Sequence, residues 1–296
     1  MPESPDIEAV VDALKRRGRP ESTDHWPDGN PDYVTEYSLT QEHVPTLIEL
    51  ATTYSDADQD DAAVYAQIHA WRALGQLGAV EAVQPLLDVQ EELDDIDDDW
   101  YLEEFGLVFG LIGPLAIEPV AAYVRDTTHG LFPRQNAAGG LSEIAKRSPA
   151  SREQVVGILV EVLGRHEQDH ADLNGALVGD LLNLKATEAA EAIERAFEAN
   201  VIDPTVVGDW GVVRQELGVD GLGLAPDRTP GWLTLGERMG MPDTDGRSRM
   251  VDPERVAAIE QRIRTQTQRK LKESKQQARA KRKEQKKSRK RNRKPR

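Results

Sequence analysis

The sequence predicts an all-α protein: an α-solenoid of about four helix pairs, followed by a flexible linker and a basic C-terminal helix or tail. Three observations carry this reading. From about residue 40 to 218, apolar residues recur at helical spacing and are broken only by short Gly, Pro or Asp punctuation. β-branched runs with strict alternation are missing, so no substantial sheet is expected. The chain also repeats itself. Leu77 to Leu86 (LGAVEAVQPL) matches Leu184 to Ile193 (LKATEAAEAI), and Ala82 to Leu86 (AVQPL) matches Ala116 to Val120 (AIEPV). The first offset equals three steps of the mid-thirties spacing seen in the second, the period of stacked two-helix units.

The elements follow in order. Residues 1–37 form an N-terminal helix and a loop. Ile7, Val10, Val11 and Leu14 give the helix one apolar stripe, and the Pro-, Asp-, Gly- and Asn-rich stretch 19–37 is the loop. Residues 38–218 form the solenoid. Its pairs are expected at 62–77 with 79–92, 99–112 with 115–126, 134–147 with 151–165, and 172–184 with 187–199. A helix at 41–54 caps the front and a short one at 210–217 closes the back. Each pair buries its stripe against its neighbours, because no pair can bury its face alone. Ala137, Ala138, Gly139 and Gly140 are small enough to let adjacent helices approach closely. Residues 219–251 are Gly- and Pro-rich and read as linker. In 252–296, Asp252-Pro253-Glu254 starts a helix cleanly, with an N-cap, a proline in the first turn and an acid near the dipole. Beyond Leu271 no large apolar residue anchors that segment to a core.

These pieces resemble a HEAT-like family of prokaryotic helical-repeat proteins. The matching segments are LGQLGAVEAVQPLL (74–87), IGPLAIEP (112–119), NLKATEAAEAIERAF (183–197), VGDWGVVRQELG (207–218) and the basic KKSRKRNRKPR (286–296). The resemblance implies the solenoid and a structural Gly-Asp-Trp element, but no activity. Some members end in a cysteine-rich zinc motif like the SecA C-terminus. This chain has no cysteine, so that motif is missing.

Charge divides the chain sharply. Of 296 residues, 37 are Lys or Arg and 52 Asp or Glu, a net −15. Residues 262–296 hold 18 basic and two acidic groups, which leaves −31 on the rest. That acidic portion has only three lysines, Lys15, Lys146 and Lys185. Many carboxylates with few lysines suit a surface hydrated in a high-salt cytoplasm. Zero cysteines exclude disulfides, thiolate zinc sites and a cysteine nucleophile. The start of the chain has no apolar signal region. The longest uncharged stretch, 105–117, is shorter than the roughly 20 apolar residues a membrane helix needs. A cytoplasmic, monomeric protein with no membrane partner is therefore expected.

Candidate chemistry is sparse. His166-Glu167-Gln168-Asp169-His170 spells H-E-x-x-H, and two His at i and i+4 of a helix can hold zinc beside a glutamate base. The repeat phase, however, puts these residues on a charged, exposed connection between helices. Glu188, Glu191 and Glu194 are third ligands on spacing alone. The runs Asp94-Asp95 and Asp97 to Asp99, and Asp56, Asp58 and Asp60, lack the glycine and the bidentate acid of a calcium loop, so they read as helix-start acids on a hydrated surface. Asp209 and Trp210 read as N-cap and core plug of the last helix. No cofactor and no catalytic residue is expected.

The strongest functional signal is the basic end. Lys281, Arg282, Lys283, Lys286, Lys287, Arg289, Lys290, Arg291, Arg293 and Lys294 would neutralise phosphates and gain affinity by counterion release. They include no aromatic for base stacking, so structured RNA or a ribosomal surface fits better than single strands. Docking on the acidic body of the same chain remains open beside it. The expected function is a non-enzymatic adaptor that binds a protein partner through the solenoid and contacts RNA or the ribosome through the tail. The alternative is a metal-dependent hydrolase using His166, Glu167 and His170.

Overall fold

The computed structural model describes residues 7–20, 26, 31–53, 61–96, 98–165 and 169–219. The chain divides into two compact units, Met1–Gly231 and Trp232–Arg296. The second unit, with the expected tail helix and all its basic candidates, lies outside the described residues, as does nearly all of the expected linker. The described part is all-α, with no strand among its residues.

The first unit begins with α1 (Ile7–Arg17), which buries Val10 and Leu14 and ends on three basic residues suited to its negative pole. The stretch expected to be loop holds a single helical turn, α2 (Tyr33–Glu36). The Asp32 carboxylate caps it by accepting from the Thr35 amide at 2.9 Å, and Tyr33 is fully buried. Then come α3 (Val44–Thr52), α4 (Asp61–Gln76), α5 (Val83–Asp95), α6 (Asp99–Ile112), α7 (Ile117–Arg125), α8 (Leu131–Arg147), α9 (Arg152–Leu163), α10 (Ala171–Asn183) and α11 (Ala190–Glu198). A second short helix that the periodicity missed, α12 (Pro204–Val207), precedes α13 (Trp210–Leu217). The start of α8 lies three residues earlier than expected, because Pro133 sits in its first turn, where no intrahelical donor is needed.

One local device recurs. Five helices, α3, α5, α7, α9 and α11, are each entered through a three-residue 3₁₀ turn. In each, the amide of the third turn residue donates to the carbonyl of the residue before the turn. The pairs are His43 to Thr40, Ala82 to Ala79, Ala116 to Gly113, Ser151 to Ser148 and Ala189 to Ala186, at 2.8–3.1 Å. That third residue is buried every time, and in four of the five cases it is Ala or Ser. The matched segments around Leu77 and Leu184 share a helix end as well. Gly78 and Lys185 both take positive φ (62° and 50°), and the amides of Ala79 and Ala186 reach back to the Leu74 and Leu181 carbonyls at 3.1 and 3.0 Å. This is the Schellman arrangement, which glycine adopts freely and lysine only with strain.

Packing proceeds along two sets of neighbours. α1 packs on α4, α4 on α6, α6 on α8, α8 on α10 and α10 on α12. A second set runs from α3 through α5, α7, α9 and α11 to α13. Side chains reach from one element to carbonyls about a repeat away: Gln41 donates to Leu77 O at 3.1 Å and Arg152 to Leu184 O at 3.0 Å. The aromatic part of the core is Trp71, Tyr101, Phe105 and Phe109, all fully buried and meeting edge to face at 5.0–6.1 Å.

The packing of α6 on α8 depends on missing side chains. A Cβ on Gly140 would lie 2.8 Å from the Phe109 ring, and one on Gly110 would lie 2.9 Å from Glu143 Cβ. Gly139 differs from its neighbour: nothing lies within 4 Å of its Cβ position. Gly140 therefore serves the close approach directly, and the backbone of Gly139 and Gly140 lies 3.5–3.6 Å from the Cβ position of Gly106, while a side chain on Gly139 itself would meet nothing. Between α6 and α7 the chain turns by 114°, at Gly113. Its φ of 88° with ψ of −154° is a conformation only glycine takes readily. No single helix among the described residues is long and apolar enough to cross a membrane.

A candidate binding groove on helices α6, α8 and α10

A groove of about 430 Å³ lies between α6, α8 and α10. Helical spacing builds it. Phe132, Asn136, Gly139, Glu143 and Lys146 follow one another at intervals of three or four along α8 and share one stripe. Leu102, Glu103 and Gly106 face them from α6, and Asp180 and Asn183 from α10. The floor is open at Gly139 because no side chain fills it.

The lining is mixed. Phe132 is 48% exposed and Leu102 38%, so two large apolar side chains face solvent at one place. Asn136 is only 8% exposed, and its amide group donates to the Tyr101 and Leu102 carbonyls at 3.1 and 3.0 Å. Those two acceptors fix which end of the amide is nitrogen. Its Oδ1, buried in the groove wall, accepts no hydrogen bond. The Lys146 ammonium is held by Glu143 at 2.7 Å.

Asp180 is the chemically unusual member. Burial pushes its carboxyl up to about 7, and the Glu143 charge acts in the same direction. The Lys146 charge and the nearby Ser142 hydroxyl oppose the rise. The groove thus offers an apolar contact surface and a carboxyl poised between two protonation states near neutrality, with a buried acceptor on Asn136 behind its lining.

A second concentration of ionisable groups is buried. Arg72 and Glu104, 1% and 0% exposed, form a buried pair between α4 and α6. Arg72 Nε donates to Glu104 Oε2 at 2.8 Å, Arg72 Nη2 donates to Oε1, and the Trp71 indole adds a third bond at 2.8 Å. Beside it, His69 Nε2 bonds the Gly18 carbonyl at 2.8 Å. A carbonyl only accepts, so the proton is on Nε2, and Nδ1 accepts from the Tyr33 hydroxyl at 2.7 Å. Burial, aided by the Arg72 and Arg17 charges, pulls His69 down to about 4 against the pull of the Gly18 carbonyl. Desolvation likewise lifts Tyr33 to about 12. This network ties α1, α2, α4 and α6 together.

The residues singled out by sequence fall as follows. His166 and Glu167 lie outside the described residues, as do Lys281, Arg282, Lys283, Lys286, Lys287, Arg289, Lys290, Arg291, Arg293 and Lys294. His170 stands just before α10 as its N-cap, exposed, with Nδ1 taking the Asp172 amide at 3.3 Å. Asp169, expected to be exposed, is instead buried in an ion pair with Arg134 at 2.6 Å, side chains 2% and 7% exposed. Arg134 also donates to the Val124 carbonyl, so this pair staples the start of α8 to the connection ahead of α10. Glu188 is held by Arg152 at 2.6 Å. Asp98 caps α6 through the Trp100 amide at 2.8 Å, and Asp94 accepts from the Tyr101 hydroxyl at 2.8 Å, so these two acids of the cluster serve the helix start. Asp209 caps α13 by accepting from the Val212 amide at 3.0 Å, and Trp210 lies against Phe197 at 5.8 Å.

The groove was not anticipated. Its one sequence signal was the pair Gly139-Gly140 inside the helical pattern 134–147.

Fold and site together define an all-α protein with an interhelical groove. No family model matches the chain, and no curated protein or solved structure does so either.

Proposed function

We propose that the described helices are units of a HEAT-like α-solenoid of about four pairs, and that the protein is a non-enzymatic adaptor. It binds a segment of a protein partner in the groove of α6, α8 and α10, and its basic end, from Lys281 to Lys294, contacts RNA or the ribosome by charge. The solenoid reading is supported by the 3₁₀ entry turn that recurs at 34–39-residue steps and by the two sets of sequential helix neighbours. The observation that carries the binding reading is the groove itself, with Phe132 and Leu102 exposed beside a buried, unused acceptor.

The test is affinity purification of the full chain at native ionic strength, with and without nuclease. It compares the unmodified protein with Gly139→Trp, which fills the groove, and with a variant carrying Gln at the ten basic positions. A nuclease-resistant protein companion lost from Gly139→Trp, together with RNA lost from the Gln variant, is the expected result. Companions unchanged in both variants would refute the adaptor. The hydrolase alternative predicts zinc bound in the purified protein and lost on His166→Ala.

A further inference from the structure

We propose that the groove is built for a cationic–apolar peptide segment: a Lys or Arg side chain meets Asp180 and Glu143, while a neighbouring large apolar side chain rests on Phe132 and Leu102. This rests on the adaptor reading and names the chemistry of the occupant.

The charge is complementary to a cation. Glu103, Glu143 and Asp180 line the groove against a single Lys146, and that ammonium is already held by Glu143 at 2.7 Å. A phosphate-bearing ligand such as RNA would meet net negative charge here, so the occupant is a peptide. The two exposed apolar side chains lie on α6 and α8, and Asp180 lies on α10. A segment crossing the groove therefore meets an apolar and an acidic contact in turn.

Asn136 adds an independent pointer. Its Nδ2 is committed to two carbonyls, and its Oδ1 is a buried acceptor that no described residue uses. A buried acceptor without a donor costs free energy. Once the wall yields enough to expose it, a peptide N–H or a guanidinium entering the groove supplies the donor. Gly139 points the same way. Helical glycine is less favourable than alanine, and no neighbour forbids a Cβ at this position. The missing side chain leaves room for a ligand. The half-buried Asp180 is a strong site for a cation once charged, because attraction grows as water is excluded. A bound guanidinium would also offset the burial that now holds its carboxyl near 7.

The full-length protein is panned against a randomised short-peptide library at fixed ionic strength, and selected peptides are titrated onto unmodified protein, Asp180→Asn and Gly139→Trp. The expected result is enrichment of Lys or Arg within a few residues of Leu, Phe, Met or Trp. Affinity should fall about tenfold to a hundredfold in Asp180→Asn and be abolished in Gly139→Trp, whose circular dichroism and melting stay those of the unmodified protein. Peptides that require an open Gly139 but show no cation preference, or bind Asp180→Asn unchanged, overturn the inference and leave the groove as a binding site. Peptides indifferent to Gly139→Trp, or no selected peptide at all, overturn the adaptor reading as well. Selection of acidic peptides, or nuclease-sensitive binding lost from Gly139→Trp, overturns the proposed chemistry.

Discussion

Replacing Asp180 by Asn should stabilise the protein at alkaline pH, an uncommon outcome for a substitution in a folded interior. Burial raises the carboxyl from an ordinary 3.8 to about 7. Between those values the folded state holds a proton that the unfolded state has released. Stability therefore falls as pH rises through this window and stays low above it. Three pH units correspond to about 4 kcal/mol, but Asp180 is only part-buried and water screens it. A realistic penalty at pH 8 is about 1–2 kcal/mol. The amide of Asn keeps the shape and removes the charge. Lys146, Glu143 and Ser142, the groups that face Asp180, are left in place. Thermal unfolding followed by circular dichroism at constant ionic strength should show Asp180→Asn melting about 2–6 °C higher at pH 8. The advantage should shrink as pH falls through 7 toward 4. A variant that melts lower at pH 8, or whose difference ignores pH, would refute the claim that a desolvated carboxyl is held in the groove. The stability regained would then measure what the empty groove costs the fold.

His69 acts with the opposite sign: its folded value of about 4 lies below its usual 6.5, so its contribution is present above about 6.5 and is lost as pH falls toward 4. That loss amounts to at most about 3 kcal/mol, and an imidazole titration followed by NMR should find the ring still neutral at pH 5. Glu104→Ala leaves the buried Arg72 guanidinium uncompensated and should cost about 3–5 kcal/mol in chemical denaturation, while an apolar replacement of both partners should cost far less. Gly140→Ala drives a methyl against the Phe109 ring and should cost about 1–3 kcal/mol, whereas Gly139→Ala should be neutral or stabilise by up to about 1 kcal/mol; equal effects on the melting temperature would show that the two glycines face alike surroundings.

That last pair shows how far the sequence could be read. Helix existence follows from apolar spacing, and the helices from α3 to α11 lie close to where periodicity puts them. A short amphipathic turn carries too few residues to leave a periodic trace. Hence α2 and α12, each held by one Asp cap and a packed neighbour, went unseen. The repeat at Leu77 and Leu184 was legible because the backbone demands the same helix end twice, even at Lys185, where positive φ would favour glycine. Which of two adjacent glycines closes a helix contact and which opens a groove was not legible. Their side of α8 depends on where α6 and α10 lie, and that is settled by packing alone. The same holds for Asp169. Its charge suggested solvent, but Arg134 comes to it from α8, thirty-five residues earlier.

Salt separates the two binding modes proposed for this chain. Contacts made by charge alone release counterions, so a basic segment that neutralises about six phosphates loses roughly a thousandfold in affinity between 50 and 200 mM salt. At about 1 M salt the screening length is near 3 Å, and long-range attraction between an acidic surface and any cation is gone. The groove does not depend on long range. Phe132 and Leu102 offer apolar contact, which excluded salts strengthen. The contact proposed between Asp180 and a cation is short-range, and a partly buried pair is screened less by salt than separated surface charges. Titration across this range should therefore show RNA leaving the basic end at moderate salt while a groove-bound peptide stays. If both dissociate together on the same steep slope, the groove contributes only surface charge, and the apolar contact at Phe132 and Leu102 is not part of recognition.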